Sequence, residues 1–165
     1  MSKSGTPISS PALISMLESG GGAFMEYARA LSGLSDAQAR ARVEGSPHSV
    51  ADLLAHLDFW QAWVLDKLAG KEPPLPEHAE GGWPKIGEGE WDKLVETFMA
   101  GLEACKTRAQ DRDRLGNPFF WGQHEMTVGG ALLSTAVHNA HHLGQIILLR
   151  RIMGAWPPEG GMYTW

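Results

Sequence analysis

A long segment near the C-terminus, Thr127 to Gly154, is apolar on almost every side when it is placed on a helix. Thr127 is a suitable N-cap and Gly154 a suitable C-terminal stop, so the segment predicts one continuous helix. A helix without a polar face must be enclosed by other elements. The segment therefore predicts a central, buried helix around which the rest of the chain packs.

The first helical pattern opens at Ser10, followed by Pro11, and its apolar residues follow the helical period as far as Gly33. Three glycines, Gly20 to Gly22, interrupt it, and each costs up to about 1 kcal/mol in a helix interior. Two explanations are open. Either the helix breaks there, or a neighbouring element approaches its backbone closely.

Two further helices have clearer limits. Ser49 is a good N-cap with Asp52 three residues later, a variant of the capping box, and Gly70 ends this second helix. The third runs from about Gly89 to Asp111 and carries the single cysteine, Cys105, on its apolar side, where it is expected to be a small core residue.

Four such helices predict an all-α fold, a four-helix bundle formed by one domain over residues 1–165. The connection between the second and third helices is rich in proline and much longer than antiparallel neighbours require. A long crossover there would let the third helix run parallel to the second, which gives an up-down-down-up order.

Composition excludes several classes of protein. One cysteine rules out an intramolecular disulfide framework and multi-cysteine metal sites, and a cytoplasmic location is the expectation in the absence of a secretory signal. The net charge is −5 and the basic residues are scattered, so no nucleic-acid partner is expected. No apolar run is long enough for a membrane span, so no membrane association is expected either.

Three of the seven histidines, His138, His141 and His142, lie within one stretch of five residues inside the predicted fourth helix. His138 and His142 are four residues apart, which places both imidazoles on one face about 6 Å apart, a spacing that suits two ligands of one ion. His141 points away from that pair and could replace His142 in an i, i+3 pair, but it could not easily join it.

His56 is the best third ligand because it is the only other histidine inside a predicted helix, and it lies away from the main apolar stripe of that helix. His124 is a further candidate ligand, since it lies four residues before the fourth helix and could fold over the site. Three imidazoles would complete the facial arrangement of a catalytic divalent ion with open positions. The alternative is that these are ordinary buried histidines. Three imidazoles on apolar faces would then have polar nitrogens without hydrogen-bond partners, whereas one shared cation would bind one nitrogen of each ring.

Two segments, SVADLLAHLDFWQAWV and, some eighty residues later, HNAHHLGQIILLRRIMGAWPP, resemble the DinB-like superfamily of bacterial proteins, which includes YfiT-like members. The resemblance covers nearly the whole chain. It implies an up-down-down-up four-helix bundle, a homodimer, and one divalent metal, nickel or zinc, held by His56, His138 and His142. Position 141 is often tyrosine in that family and is His141 here.

Characterised members of the family include bacillithiol and mycothiol S-transferases and a mycothiol-dependent maleylpyruvate isomerase. The resemblance therefore implies a metal-dependent enzyme that transfers a low-molecular-weight thiol to an electrophile, with Trp60, Trp63 or Trp121 shaping the pocket. Asp52, one turn before His56, is expected to orient the free ring nitrogen of His56.

Three other functions remain open. A metal-dependent hydrolase would use Glu125 or His124 as its base. A stress-response module would hold a structural metal, with His141 or His124 as a fourth ligand, or no metal at all. The third alternative is a histidine-rich helical dimer without a metal.

Overall fold

The computed structural model describes residues 9–160, which form six α-helices, two short 3-10 helices and one β-hairpin. In chain order the α-helices are α1 (Ser10–Ser19), α2 (Tyr27–Leu31), α3 (Asp36–Arg40), α4 (Val50–Leu68), α5 (Trp91–Gln110) and α6 (Val128–Ile152). The 3-10 helices cover Gly20–Gly22 and Ala79–Gly82, and the strands are β1 (Pro118–Trp121) and β2 (His124–Thr127). The mainly helical content confirms the all-α prediction. The ends of the predicted domain, residues 1–8 and 161–165, lie outside the described residues.

The first predicted helix is broken at its glycines. α1 ends at Ser19, and Gly20 takes a left-handed backbone conformation with φ of 58°, which glycine adopts without steric cost. A β-carbon on Gly20 would also collide with the ring of Phe24. The break is therefore the observed alternative, and α2 begins only at Tyr27.

The predicted caps of α4 and α6 are confirmed. The Ser49 hydroxyl accepts the Asp52 N–H at 3.1 Å, and the Asp52 carboxylate accepts the Ser49 N–H at 2.9 Å, which together form a capping box. The Thr127 hydroxyl accepts the Gly130 N–H at 3.0 Å at the start of α6. These bonds fix the first turns of the two helices that carry the predicted histidines.

α1 and α4 each pack against both α5 and α6, and their apolar faces form one large core. Cys105 is fully buried in that core, and burial raises the pKa of its thiol to about 12, as expected for a packing residue. The up-down-down-up order of the four long helices stays a prediction.

One polar cluster interrupts the core where α4, α5 and α6 meet. The Gln61 amide, 1% exposed, donates to the Phe98 carbonyl at 2.9 Å and accepts from the Asn139 amide at 3.3 Å. Gly101 makes room for this side chain, because a β-carbon at position 101 would collide with the Gln61 amide nitrogen. Three helices are thus joined by hydrogen bonds at one level of the core.

The expectation that α6 is buried on all sides is wrong for one face. Val137, Leu148 and Ile152 are 53%, 56% and 61% exposed. Val137 and Leu148 lie on the same side of the helix, because eleven residues make close to three full turns. α6 therefore presents an apolar strip to solvent in the single chain.

The β-hairpin, which leads directly into α6, lies between the predicted third and fourth helices, where no helix or strand was predicted. Its strands pair antiparallel, with Phe119 opposite Met126 and Trp121 opposite His124. Phe119 is buried against Trp63 at 6.3 Å between ring centroids. Across residues 9–160, no helix combines the length and the apolarity that crossing a membrane requires.

Candidate metal centre

α4 and α6 bring the three predicted histidines together. His56 lies in the second turn of α4, and His138 and His142 lie one turn apart near the middle of α6. Each imidazole offers one nitrogen, and these three nitrogens all lie within 4.8 Å of one another. His56 and His142 are buried and His138 is half-buried, so the cluster is largely shielded from water.

The spacing of two of these nitrogens fits one shared cation. The Nε2 atoms of His56 and His138 are 3.1 Å apart. Two nitrogens bound to one ion at about 2.0–2.1 Å, with an angle between octahedral and tetrahedral, are separated by roughly 2.8–3.4 Å. The three rings form a nearly equilateral triangle, with centroids 5.0, 4.9 and 4.7 Å apart and ring planes 70° to 88° from one another.

The outer ring nitrogens of two ligands are already occupied. His56 Nδ1 lies 2.6 Å from the Gly82 carbonyl oxygen, and His142 Nδ1 lies 2.7 Å from Oε1 of Gln145. Because a carbonyl oxygen only accepts, each Nδ1 carries the hydrogen, and each Nε2 keeps its lone pair for a metal. Such partners fix the tautomer and the direction of a metal-binding histidine.

The indole of Trp83 is sandwiched between two imidazoles. Its ring stacks on His56 at 3.8 Å with an interplanar angle of 11°, and on His48 at 3.8 Å and 7°. Its edge meets His142 at 5.8 Å, nearly perpendicular. A residue of the connection between α4 and α5 thus contacts two of the three clustered histidines.

The electrostatics of the cluster favour neutral imidazoles. Burial, reinforced by neighbouring histidines, lowers the pKa of His138 to about 4. Burial also lowers the pKa of His56 and of His142, although the Gly82 and Gln145 hydrogen bonds act in the opposite direction. At neutral pH the three rings are therefore unprotonated at one nitrogen each, the form that binds a metal.

The other candidate ligands, His141 and His124, are not part of the cluster. Among the described residues, the candidate metal group contains only the three histidines named above. His141 is exposed, and its ring meets the edge of His142 at 4.9 Å between centroids while its Nε2 lies 3.4 Å from the Gln145 amide nitrogen, but it is not part of the group of converging nitrogens. His124 and Glu125 lie exposed on β2, and neither lines the cavity described below.

The expected role of Asp52 is wrong. Its carboxylate caps α4 and forms an ion pair with Arg42 at 3.0 Å, whereas the outer nitrogen of His56 bonds to the Gly82 carbonyl. The capping bond holds the carboxylate at the helix start, so it does not serve a histidine one turn further along. A backbone carbonyl from the connection takes the place that a side chain was expected to fill.

Sequence reasoning missed Gly82 and Trp83 as parts of the site. Gly82 is the last residue of a short 3-10 helix in the proline-rich connection, and Trp83 follows it. No helical or strand period in this connection shows which side chain points inward. The only signal was the presence of a tryptophan in a connection rich in prolines, a composition typical of loops that pack over other elements. Gln145 had a stronger signal, since it shares the face of His138 and His142.

A cavity of about 220 Å³ borders His138. Its other walls are apolar or hydroxyl-bearing, and they come from α4, β1 and α6: Trp60, Val64, Trp121, Ser134 and Thr135. Trp60 and Trp121 line it as expected. Trp63 lies behind it, packed on Trp121 at 4.6 Å, and its indole N–H donates to the Pro74 carbonyl.

Comparison with protein-family models gives a match over residues 22–146, to the model described as the DinB superfamily. The matched range includes α4, most of α6 and all three clustered histidines. Comparisons with curated proteins and with solved structures found no match. Since the matched residues make up most of the chain, the protein belongs to the DinB superfamily.

Proposed function

We propose that His56, His138 and His142 hold one divalent metal ion and that the protein is a metal-dependent enzyme of the thiol S-transferase type. The observation that carries the metal site is the convergence of three neutral imidazoles, each with one nitrogen within 4.8 Å of the other two. Three protein ligands leave coordination positions for other groups, which is typical of catalytic rather than structural metal sites.

Nickel or zinc is the proposed ion, since imidazole is a good ligand for both. When bound, such an ion supplies Lewis acidity that lowers the pKa of a coordinated thiol, so that a thiolate is present near neutral pH. The proposed substrates are a low-molecular-weight thiol and an electrophile. Membership of the DinB superfamily and the donor set support this proposal.

The chain's own residues have two roles in this scheme. The Gly82 carbonyl and the Gln145 amide hold the hydrogens of His56 and His142 on Nδ1, which directs both Nε2 atoms inward. The cavity beside His138 offers the space for the electrophile, with the indoles of Trp60 and Trp121 as its walls. Those indoles would shield the neighbouring space from water on the sides that they cover.

Protein purified without a polyhistidine tag tests the proposal. We expect close to one nickel or zinc per chain by elemental analysis, and metal-dependent conjugation of a small thiol, such as bacillithiol or mycothiol, to monochlorobimane. Removal of the metal with a chelator should abolish conjugation, and adding it back should restore it. Tight metal binding without conjugation of any thiol would favour the non-catalytic module.

We also propose that the protein is a homodimer, joined through the apolar strip of α6. Val137, Leu148 and Ile152 are each more than half exposed in the single chain. The three side chains share one face of α6, and exposed apolar residues that share a face are typical of a surface that another molecule covers. An isologous contact between two copies of α6 would bury it, and sedimentation analysis tests this directly.

A further inference from the structure

We propose that the connection between α4 and α5 is a third wall of the metal centre, in which the Gly82 carbonyl and the Trp83 indole position His56 for coordination. The inference rests on the metal binding proposed above. It assigns a positioning role to two residues that are not themselves metal ligands.

The Gly82 carbonyl determines which nitrogen of His56 carries the hydrogen. His56 is 7% exposed, so an unpaired Nδ1–H would lack water as a partner and would cost about 1–3 kcal/mol. The 2.6 Å bond to Gly82 removes that cost only for the tautomer with hydrogen on Nδ1. The other tautomer would place its hydrogen on Nε2 and block coordination.

The Trp83 indole determines the plane of the His56 ring. A hydrogen bond at Nδ1 alone leaves the imidazole free to tilt, whereas stacking at 3.8 Å and 11° restrains that rotation. The other face of the indole is stacked on His48, so Trp83 is itself restrained from both sides. A tilt of His56 would therefore disturb the whole three-ring stack.

Both positions are held by close packing. A β-carbon on Gly82 would lie 2.9 Å from the indole of Trp60, so the backbone approaches α4 as closely as glycine allows. His48 is fixed in the turn before α4, where its carbonyl accepts the Ser46 hydroxyl at 2.7 Å. The stack thus joins His48, before the start of α4, and Trp83, in the connection, to the proposed ligand His56.

A linkage follows from this arrangement. If an ordered connection strengthens metal binding, metal binding must stabilise the ordered connection by the same free energy. We therefore expect bound zinc to slow amide hydrogen exchange in residues 79–83. The exposed turn at residues 112–117, between α5 and β1, provides the internal comparison.

The affinity test compares four proteins without a tag: the wild type, Trp83→Phe, Trp83→Ala and Trp156→Ala. Zinc affinity is measured by competition with a chromophoric chelator at neutral pH. Trp83→Ala should weaken zinc binding roughly 10–100-fold, the range found for partners that orient metal ligands. Trp83→Phe keeps a flat ring and should retain most of the affinity. Trp156 is also half-buried but stacks near Arg150 and Arg151, so Trp156→Ala should bind zinc like the wild type.

A purely structural role for Trp83 would lower stability without changing zinc affinity, so thermal unfolding of the metal-free variants is measured in parallel. If Trp83→Ala does not fold, Trp83→Leu fills the space without a flat face and should show the same weakening. Zinc affinity equal to the wild type in a folded Ala or Leu variant, or unchanged exchange of residues 79–83, would overturn the inference.

The proposed function fails in a different way. It fails when the wild type itself binds neither zinc nor nickel. In that case the ¹⁵N chemical shifts of His56 still report its tautomer in the metal-free protein. Loss of the stack would let the His56 ring tilt away from the Gly82 carbonyl, which fixes the tautomer. Hydrogen on Nδ1 in the wild type and a mixture of tautomers in Trp83→Ala would therefore support the positioning role; equal tautomer populations in both proteins would contradict it.

Discussion

The Nε2 atoms of His56 and His138 lie 3.1 Å apart although 82 positions separate these residues in the chain. Because the hydrogen of His56 is on Nδ1, facing Gly82, its Nε2 presents a lone pair to His138. Without a cation, the contact is favourable only when His138 carries a hydrogen on Nε2. With a cation, both nitrogens become ligands, so the same geometry serves a metal once His138 has its hydrogen on Nδ1.

Replacing any one of His56, His138 or His142 by alanine should weaken metal binding by more than the roughly 10–100-fold effect of an orienting partner, because a direct ligand is lost. Elemental analysis and chelator competition measure the effect. His141→Ala is the matched control, since it removes a neighbouring imidazole that lies outside the ligand group. Undiminished metal content in the His138→Ala protein would contradict the assignment of the site.

The metal-free protein should lose stability as the pH falls from about 6.5 to 4. The pKa of His138 is lowered to about 4, mainly by burial, whereas an unfolded histidine titrates near 6.5. Within that window the unfolded chain binds the extra proton, so the free energy of unfolding falls by up to about 1.4 kcal/mol per pH unit for each such histidine. Urea unfolding after chelation measures this slope.

The matched variant for this pH experiment is His138→Gln, which should show a shallower slope over the same pH range. Other titrating groups, such as Asp58, are common to both proteins and cancel in the comparison. Equal slopes for the wild type and the variant would mean that His138 is not held neutral in the folded chain.

Asp58→Asn should stabilise the protein at pH 7. Asp58 lines a cavity between α4 and the proline-rich connection, and burial raises its pKa to about 6 from 3.8. At pH 7 the carboxyl is ionised in both states, and ionisation is costlier in the folded one. Asparagine removes this cost, and we expect a gain of about 1 kcal/mol, discounted because the carboxyl keeps some contact with water.

The gain from Asp58→Asn should vanish below about pH 4, where aspartate is protonated in both states. Asp66→Asn is the control on the same helix, because Asp66 is paired with Lys71 at 2.8 Å and should show no comparable gain. Chemical unfolding at pH 7 and at pH 3.5 separates the two cases. Destabilisation by Asp58→Asn at pH 7 would show that the carboxylate makes a favourable interaction in the folded protein.

Leu148→Glu should convert the proposed dimer to a monomer without changing metal content. The side chain is 56% exposed on the apolar strip of α6, so a carboxylate there is solvated in the monomer. In the dimer the same carboxylate would be buried, which destabilises the contact between the two chains. Leu75→Glu, at an exposed leucine in the connection, is the control and should leave the sedimentation coefficient unchanged. A wild type that sediments as a monomer would remove the dimer proposal.

The long helices were predictable because their ends carry local signals. Ser49 and Thr127 cap α4 and α6 at the predicted positions, since a hydroxyl that satisfies a free N–H works within one turn of chain. The grouping of His56 with His138 and His142 was also predictable. Helical spacing alone places two of them on one face, and the third was the only other histidine within a helical pattern.

The remaining parts of the site depend on contacts between distant segments. β1 consists of Pro-Phe-Phe-Trp, which shows no alternation of apolar and polar residues, so it had no strand signal. It pairs with β2 while Phe119 packs on Trp63, a contact that no local pattern encodes. The Gly82 carbonyl is a backbone group, and its use by His56 follows only from the path of the connection.

The hydrogen bonds from Gln61 to Phe98 and Asn139 have a consequence for how this protein can diverge. Gln61 follows His56 by five residues and Asn139 directly follows His138, so this junction sets how far α4 can slide along α6. Apolar contacts alone tolerate such sliding, whereas directional hydrogen bonds of buried amides do not. An alanine at position 101 would displace Gln61 and disturb the alignment of α4 with α6 on which the proposed metal site depends, with every histidine still in place. A histidine count is therefore an incomplete guide to which relatives keep the chemistry.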